Sequence, residues 1–142
     1  MSTYIKPNID TKFHIDFYWW EKTGKNLRSY IQSLFNPESE MYHAGYDVTE
    51  TFDWIDPETG EISKIPMLWL HLREEAQGND EFIDEYTSLT TGIFRAFVVN
   101  NNVPLTPTEL YQQLQKQSPN MILQTIGRYR THDGIRPSPF QG

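Results

Sequence analysis

Apolar residues recur at helical spacing in five stretches of the chain and alternate at strand spacing in a hairpin between the first two. The first helix is expected from Phe17 to Phe35. Trp20, Leu27, Tyr30, Ile31, Leu34 and Phe35 share one side of it, and Lys22, Lys25, Arg28 and Gln32 fill the other. Asp16 is placed to cap it, although Thr23-Gly24 weakens its first turns enough for a start as late as Gly24. Asn36-Pro37 stops it, because the residue before a proline disfavours helical geometry. A loop follows to Val48, with Tyr42, His43 and Tyr46 able to pack back. Phe52 and Trp54 then point one way along a strand over Thr51–Ile55. Asp56-Pro57-Glu58-Thr59-Gly60 is turn chemistry, and Glu61–Ile65 is the return arm. Pro66 opens a helix with Leu68, Trp69, Leu72 and Ala76 on one face, broken at Gly78. A long helix capped by Asn79 or Asp80 is expected from Glu81 to about Asn100, burying Phe82, Tyr86, Leu89, Ile93, Phe97 and Val98. Residues 1–13 read as a loosely held extended arm, and the last five as a tail.

The sharpest local signals lie between Thr106 and Pro137. Thr106 and Glu109 form a capping box, and Pro107 sits at the first helical position, where its missing N–H is harmless. This helix runs to about Lys116 with Leu110, Tyr111 and Leu114 on its apolar face. Ser118-Pro119 repeats the start signal, opening a helix to about Arg128 with Met121, Ile122, Thr125 and Ile126 on its apolar face. Only Gln117 and Ser118 separate the two, which forces a sharp angle. Gly127 can terminate the second helix. Asp133-Gly134, flanked by Tyr129, Thr131 and Ile135, signals a small hairpin ended by Pro137, and Val103-Pro104-Leu105 can supply a third short strand to it.

A scaffold helix, two short helices at a tight turn and a closing hairpin, in that order over residues 80–137, resemble the winged helix-turn-helix superfamily. The expected fold class is therefore α+β and mainly helical, with a winged helix-turn-helix preceded by a helix, a β-hairpin and a second helix. The expected division is an acidic, aromatic-rich region over residues 1–79 and the winged-helix-like domain over residues 80–142.

Length and composition narrow the setting. A chain of 142 residues suits one domain or two small interlocked units. It has no cysteine, which excludes disulfides, cysteine-bearing zinc sites and thiol nucleophiles. No apolar run approaches a membrane span, and MSTYIKPNID lacks a signal-peptide core, so a cytoplasmic protein with no membrane partner is expected. The net charge of −7 is unevenly spread. Residues 1–85 carry seven Lys/Arg against seventeen Asp/Glu, whereas residues 86–142 carry five against two. Such asymmetry points to an anionic partner for the basic end.

The resemblance implies a nucleic-acid contact through helix 119–128 and wing 129–137. On the helix side away from Met121 and Ile122, Asn120, Gln124, Arg128 and Arg130 are candidates to meet base edges, since carboxamides pair with adenine and arginine with guanine. His132 and Arg136, on the wing, are candidates for the phosphate backbone, and Lys116 is a further nucleic-acid-binding candidate. The expected function is DNA binding, with a transcription-regulatory role that the resemblance implies; the alternative is a non-enzymatic interaction subunit of a larger complex that uses the winged helix and the aromatic N-terminal region as docking surfaces. Tyr18, Trp19 and Trp20 belong to a run of four aromatics that cannot all face one core, so they either fill two cores or dock a protein partner or second copy. Asp53, Asp56, Glu58 and Glu61 lack the spacing of a calcium loop and read as a solvated hairpin tip. His14, His43, His71 and His132 have no paired metal-ligand spacing. No phosphate loop or nucleophile motif is present, so neither enzymatic activity, a metal nor a cofactor is expected.

Overall fold

The computed structural model describes residues 6–38, 42, 50–56, 60–77, 83, 87–128, 133–139 and 141. Among them, in chain order, lie β1 (Phe13–Ile15), α1 (Phe17–Thr23), α2 (Leu27–Ser33), β2 (Thr51–Ile55), β3 (Ile62–Pro66), α3 (Leu68–Ala76), α4 (Leu89–Val99), α5 (Pro107–Leu114), α6 (Pro119–Ile126) and β4 (Ile135–Pro137). β1 pairs antiparallel with β4, and β2 with β3, so the architecture is α+β. The chain forms two compact units: Met1–Ile15 with Thr87–Gly142, and Asp16–Tyr86. This departs from the expected division at residues 79 and 80. The N-terminal segment belongs with the C-terminal part because it supplies a strand to its sheet.

In the first unit, α4 starts at Leu89, not at Glu81. Ser88 has extended backbone, φ −63° and ψ 155°, and its hydroxyl accepts from the Thr91 N–H at 3.3 Å, which makes it the cap. The expected burial of Phe82 and Tyr86 falls outside the described residues. Ile93, Phe94, Phe97 and Val98 are buried along α4. Its end is fixed by three consecutive asparagines with different tasks. The Asn101 N–H donates to the Val98 carbonyl at 3.1 Å and the Asn102 N–H to the Phe97 carbonyl at 2.7 Å, the paired bonds of a Schellman ending. Both residues sit in the left-handed region, φ 54° and 60°, which asparagine tolerates better than other side-chain-bearing residues. The Asn100 carboxamide donates to the Ala96 carbonyl and to Gln113 Oε1, both at 2.7 Å, tying the end of α4 to α5.

β1 is the inner strand of this unit. Phe13 exchanges both backbone bonds with Leu105, at 2.8 and 2.9 Å, while β4 lies in register with Phe13 opposite Pro137 and Ile15 opposite Ile135. Leu105 thus meets β1 where a direct pairing with the wing was expected. Two side-chain carboxamides complete the ladder. Asn102 accepts from the Ile15 N–H at 2.7 Å and donates to the Ile15 carbonyl at 2.9 Å. Gln141 accepts from the Lys12 N–H at 2.8 Å and donates to the Lys12 carbonyl at 3.1 Å. Each supplies a donor and an acceptor side by side, as the backbone of a neighbouring strand does. The expected loose arm and free tail therefore hold one another, and the Ser138 N–H adds a bond to the Lys12 carbonyl at 2.8 Å. Phe13, Ile15 and Ile135 turn inward and are buried with Leu110, Leu114, Ile122 and Ile126.

In the second unit the expected helix over residues 17–35 is two helices. Gly24 ends α1 in the left-handed conformation, φ 71°, and Asn26 starts α2 by accepting from the Ser29 N–H at 3.0 Å. Asp16 caps α1 as expected, accepting from the Tyr18 N–H at 3.0 Å. β2 and β3 form the expected hairpin, with Asp53 opposite Lys64 and Ile55 opposite Ile62. Pro66 ends β3, and the helix opens two residues later at Leu68. Phe17 lies edge-on to Trp54 at 5.4 Å and to Trp69 at 5.3 Å, giving one aromatic cluster. Trp20 lies edge-on to Trp19 and to Tyr30, each at 5.2 Å, giving another. The positions expected for Tyr46 and His43 fall outside the described residues.

Candidate functional site

The helix pair at the centre of the sequence reading is set by the backbone of four residues. α5 begins with the capping box: the Glu109 N–H donates to the Thr106 hydroxyl at 3.1 Å and the Thr106 N–H to Glu109 Oε1 at 3.0 Å. It ends at Leu114, earlier than the expected Lys116. Gln115 and Gln117 then both take left-handed backbone, φ 53° and 62°, and Ser118 returns to extended geometry. Two left-handed steps within three residues turn the chain sharply, and Ser118 caps α6 by accepting from the Met121 N–H at 3.1 Å. A left-handed residue with a Cβ costs ~1–2 kcal/mol, and glycine in its place gives back ~0.5–1 kcal/mol through its freer unfolded state. Gln115→Gly is therefore expected to stabilise the protein by about 0.5–1 kcal/mol, read as a raised urea midpoint at unchanged slope. A lowered midpoint would show that the glutamine side chain itself holds the turn.

α6 divides cleanly into two faces. Ile122 and Ile126 are buried, and Asn120 and Gln124 are exposed at successive turns; α6 ends at Ile126, short of the expected Arg128, which lies exposed just past the Gly127 cap. Met121, expected on the apolar face, is 43% exposed. At 3.6 residues per turn it lies about 120° from the direction set by Ile122 and Ile126, away from the core. Tyr111 of α5 was likewise expected inside, yet only Pro107, Leu110 and Leu114 of that helix are buried. The Arg128 Nε donates to the Gln124 carbonyl at 2.9 Å, which folds the guanidinium back along the helix end. Gly127 sits there with φ −87°, so it is not needed for a left-handed turn. A Cβ at this position would lie 2.6 Å from the Leu123 carbonyl oxygen, and the glycine supplies clearance.

The other expected nucleic-acid residues are distributed differently. Lys116 donates its ammonium to the Thr87 carbonyl at 2.6 Å, so it braces the turn against the segment entering α4. Arg136 is exposed on β4 directly opposite His14 of β1. Both project from the face opposite buried Phe13, Ile15 and Ile135, a pairing that no local pattern announces. Arg130 and His132 fall outside the described residues, as does the first arm of the expected wing. Redrawing the charge by folded unit sharpens its asymmetry. Met1–Ile15 with Thr87–Gly142 holds seven Lys/Arg against three Asp/Glu, +4, and Asp16–Tyr86 holds five against sixteen, −11.

Of the expected partner-binding aromatics, Tyr18 is 63% exposed and Trp19 is half-buried with the Lys25 ammonium 5.3 Å from its ring centroid. Trp20 is buried, filling the second aromatic cluster, which corrects its assignment to a docking surface. The rule is helical spacing: Phe17 and Trp20, three apart, go inward together. Ile55 and Ile62 form an exposed cross-strand pair at the hairpin end. Asp53 of the acidic hairpin is paired with Lys64 at 3.2 Å. Among the described residues no three His, Asp or Glu side chains are grouped to hold a metal ion, and no helix is long and apolar enough to cross a membrane. A scan against protein-family models, a search of the curated proteins and a search of the solved structures each return no match to this chain.

Proposed function

We propose that the first unit is a winged helix-turn-helix module that binds duplex DNA in a transcription-regulatory role, with α6 entering the major groove and Arg136 of β4 meeting the backbone. The observation that carries this reading is exposed Asn120 and Gln124 on a short helix held by a tight turn, with exposed Arg128 just past its end, in the one unit of positive charge. A major groove admits one helix, and these side chains have the donors and acceptors that distinguish base pairs there. Arg128 and Arg136 are suited to phosphate as well as base. Lys116 contributes to this reading only as a brace.

The second reading, a subunit that holds another protein, is favoured by the outward Met121 and Tyr18 and by the Ile55–Ile62 pair. Salt separates the two. If about three phosphates are neutralised, affinity for a random-sequence duplex falls roughly 40-fold between ~50 and ~200 mM monovalent salt. Fluorescence anisotropy of a labelled duplex measures this. An absence of binding at the lower salt would remove the DNA reading and leave the protein-holding one.

A further inference from the structure

Resting on the DNA reading, we infer that α6 selects A·T base pairs along most of its length and a G·C pair at its C-terminal end. Asn120 and Gln124 each address an adenine edge, Met121 a thymine methyl, and Arg128 a guanine.

Four lines lead there. First, of the exposed carboxamides in this unit, Asn120 and Gln124 are the ones carried on the outward side of α6. Neither carboxamide has a hydrogen-bond partner among the described residues. A carboxamide offers one donor and one acceptor side by side, which matches the N6 and N7 pair of adenine. Second, four residues advance a helix by ~6 Å, slightly under two base-pair steps of ~3.4 Å. Asn120 and Gln124 therefore address pairs about two steps apart, not the same pair. Third, Met121 lies on the outward arc with them, where an apolar side chain has no core to fill. In a major groove the thymine methyl is the apolar feature it can meet, and the flexible thioether adapts to it. Fourth, the Arg128 Nε is already held by the Gln124 carbonyl at 2.9 Å. The end-on pair of Nη groups is what remains for a second acceptor, and that pair matches guanine O6 and N7.

The test is anisotropy at one fixed moderate salt with three labelled duplexes of equal length: one with an alternating A·T centre closed by a G·C pair, one all A·T, and one all G·C. The mixed duplex is expected to bind at least tenfold more tightly than the G·C duplex, and several-fold more tightly than the all-A·T duplex. Gln124→Ala, an exposed helix position, is expected to bring the mixed and G·C duplexes within about threefold of each other, and circular dichroism verifies that the variant is folded. Arg128→Lys is expected to remove the advantage of the mixed duplex over the all-A·T one. Equal affinity for all three duplexes, with the steep salt dependence retained, overturns the base preference while the DNA reading stands. No binding to any of them at low salt overturns both.

Discussion

Asn102→Ala lowers the stability of the protein by about 3–5 kcal/mol. Asn102 is 3% exposed, and its carboxamide holds both backbone groups of Ile15, at 2.7 and 2.9 Å. Removing it strands a buried N–H and a buried carbonyl in place of two bonds. An orphaned buried group costs ~1–3 kcal/mol, more than the net worth of the bond it has lost. Alanine must also adopt φ near 60°, which asparagine accepts more readily. Asn102→Gly separates these contributions, because it keeps the left-handed ending of α4 without a Cβ. It should be less damaging than the alanine variant by about 1 kcal/mol. Urea denaturation followed by far-UV circular dichroism measures both. A loss below about 1 kcal/mol in the alanine variant would mean that β1 does not depend on this clasp.

Trp69→Ala is expected to cost about 3–5 kcal/mol. Trp69 is fully buried in the second unit, where Phe17 meets it edge-on at 5.3 Å. Truncation loses the transfer energy of the indole, leaves a cavity, and removes one of the two aromatic partners of Phe17. Trp69→Phe retains a ring for that contact and should cost roughly half as much. The same denaturation experiment applies. A loss under about 2 kcal/mol would show that the hairpin and α1 do not rely on this cluster.

Legibility in the sequence followed the range of the interactions. The starts of α5 and α6 were readable because Thr106 with Glu109, and Ser118 with Pro119, act within one turn. The hairpin of β2 and β3 was readable for the same reason. β1 was hidden: it is three residues long, too short for a period, and its partners Leu105, Asn102, Arg136 and Gln141 stand far along the chain. With it went the pairing of His14 and Arg136 and the unit boundary. Two further misreadings came from trusting period over punctuation. Apolar residues before Ser88 continue the α4 rhythm in the sequence, but Ser88 has extended backbone and α4 starts after it. Gly24 followed by Asn26 contains an ending and a new cap within what reads as one amphipathic stretch. On α6, Met121 was assigned by hydrophobicity, whereas its direction is fixed by Ile122 and Ile126. Outward Asn120 and Gln124 were legible because helical spacing defines their side of α6, whereas Arg128 lies past the end of that helix, at Ile126.

Chemical-shift mapping by ¹H–¹⁵N correlation spectroscopy, with unlabelled duplex DNA titrated into the labelled protein at low salt, reads out the binding face residue by residue. The account predicts that the largest shifts fall within Pro119–Arg128 and at Arg136. Shifts concentrated in Asp16–Tyr86, or no shifts at all, would contradict it.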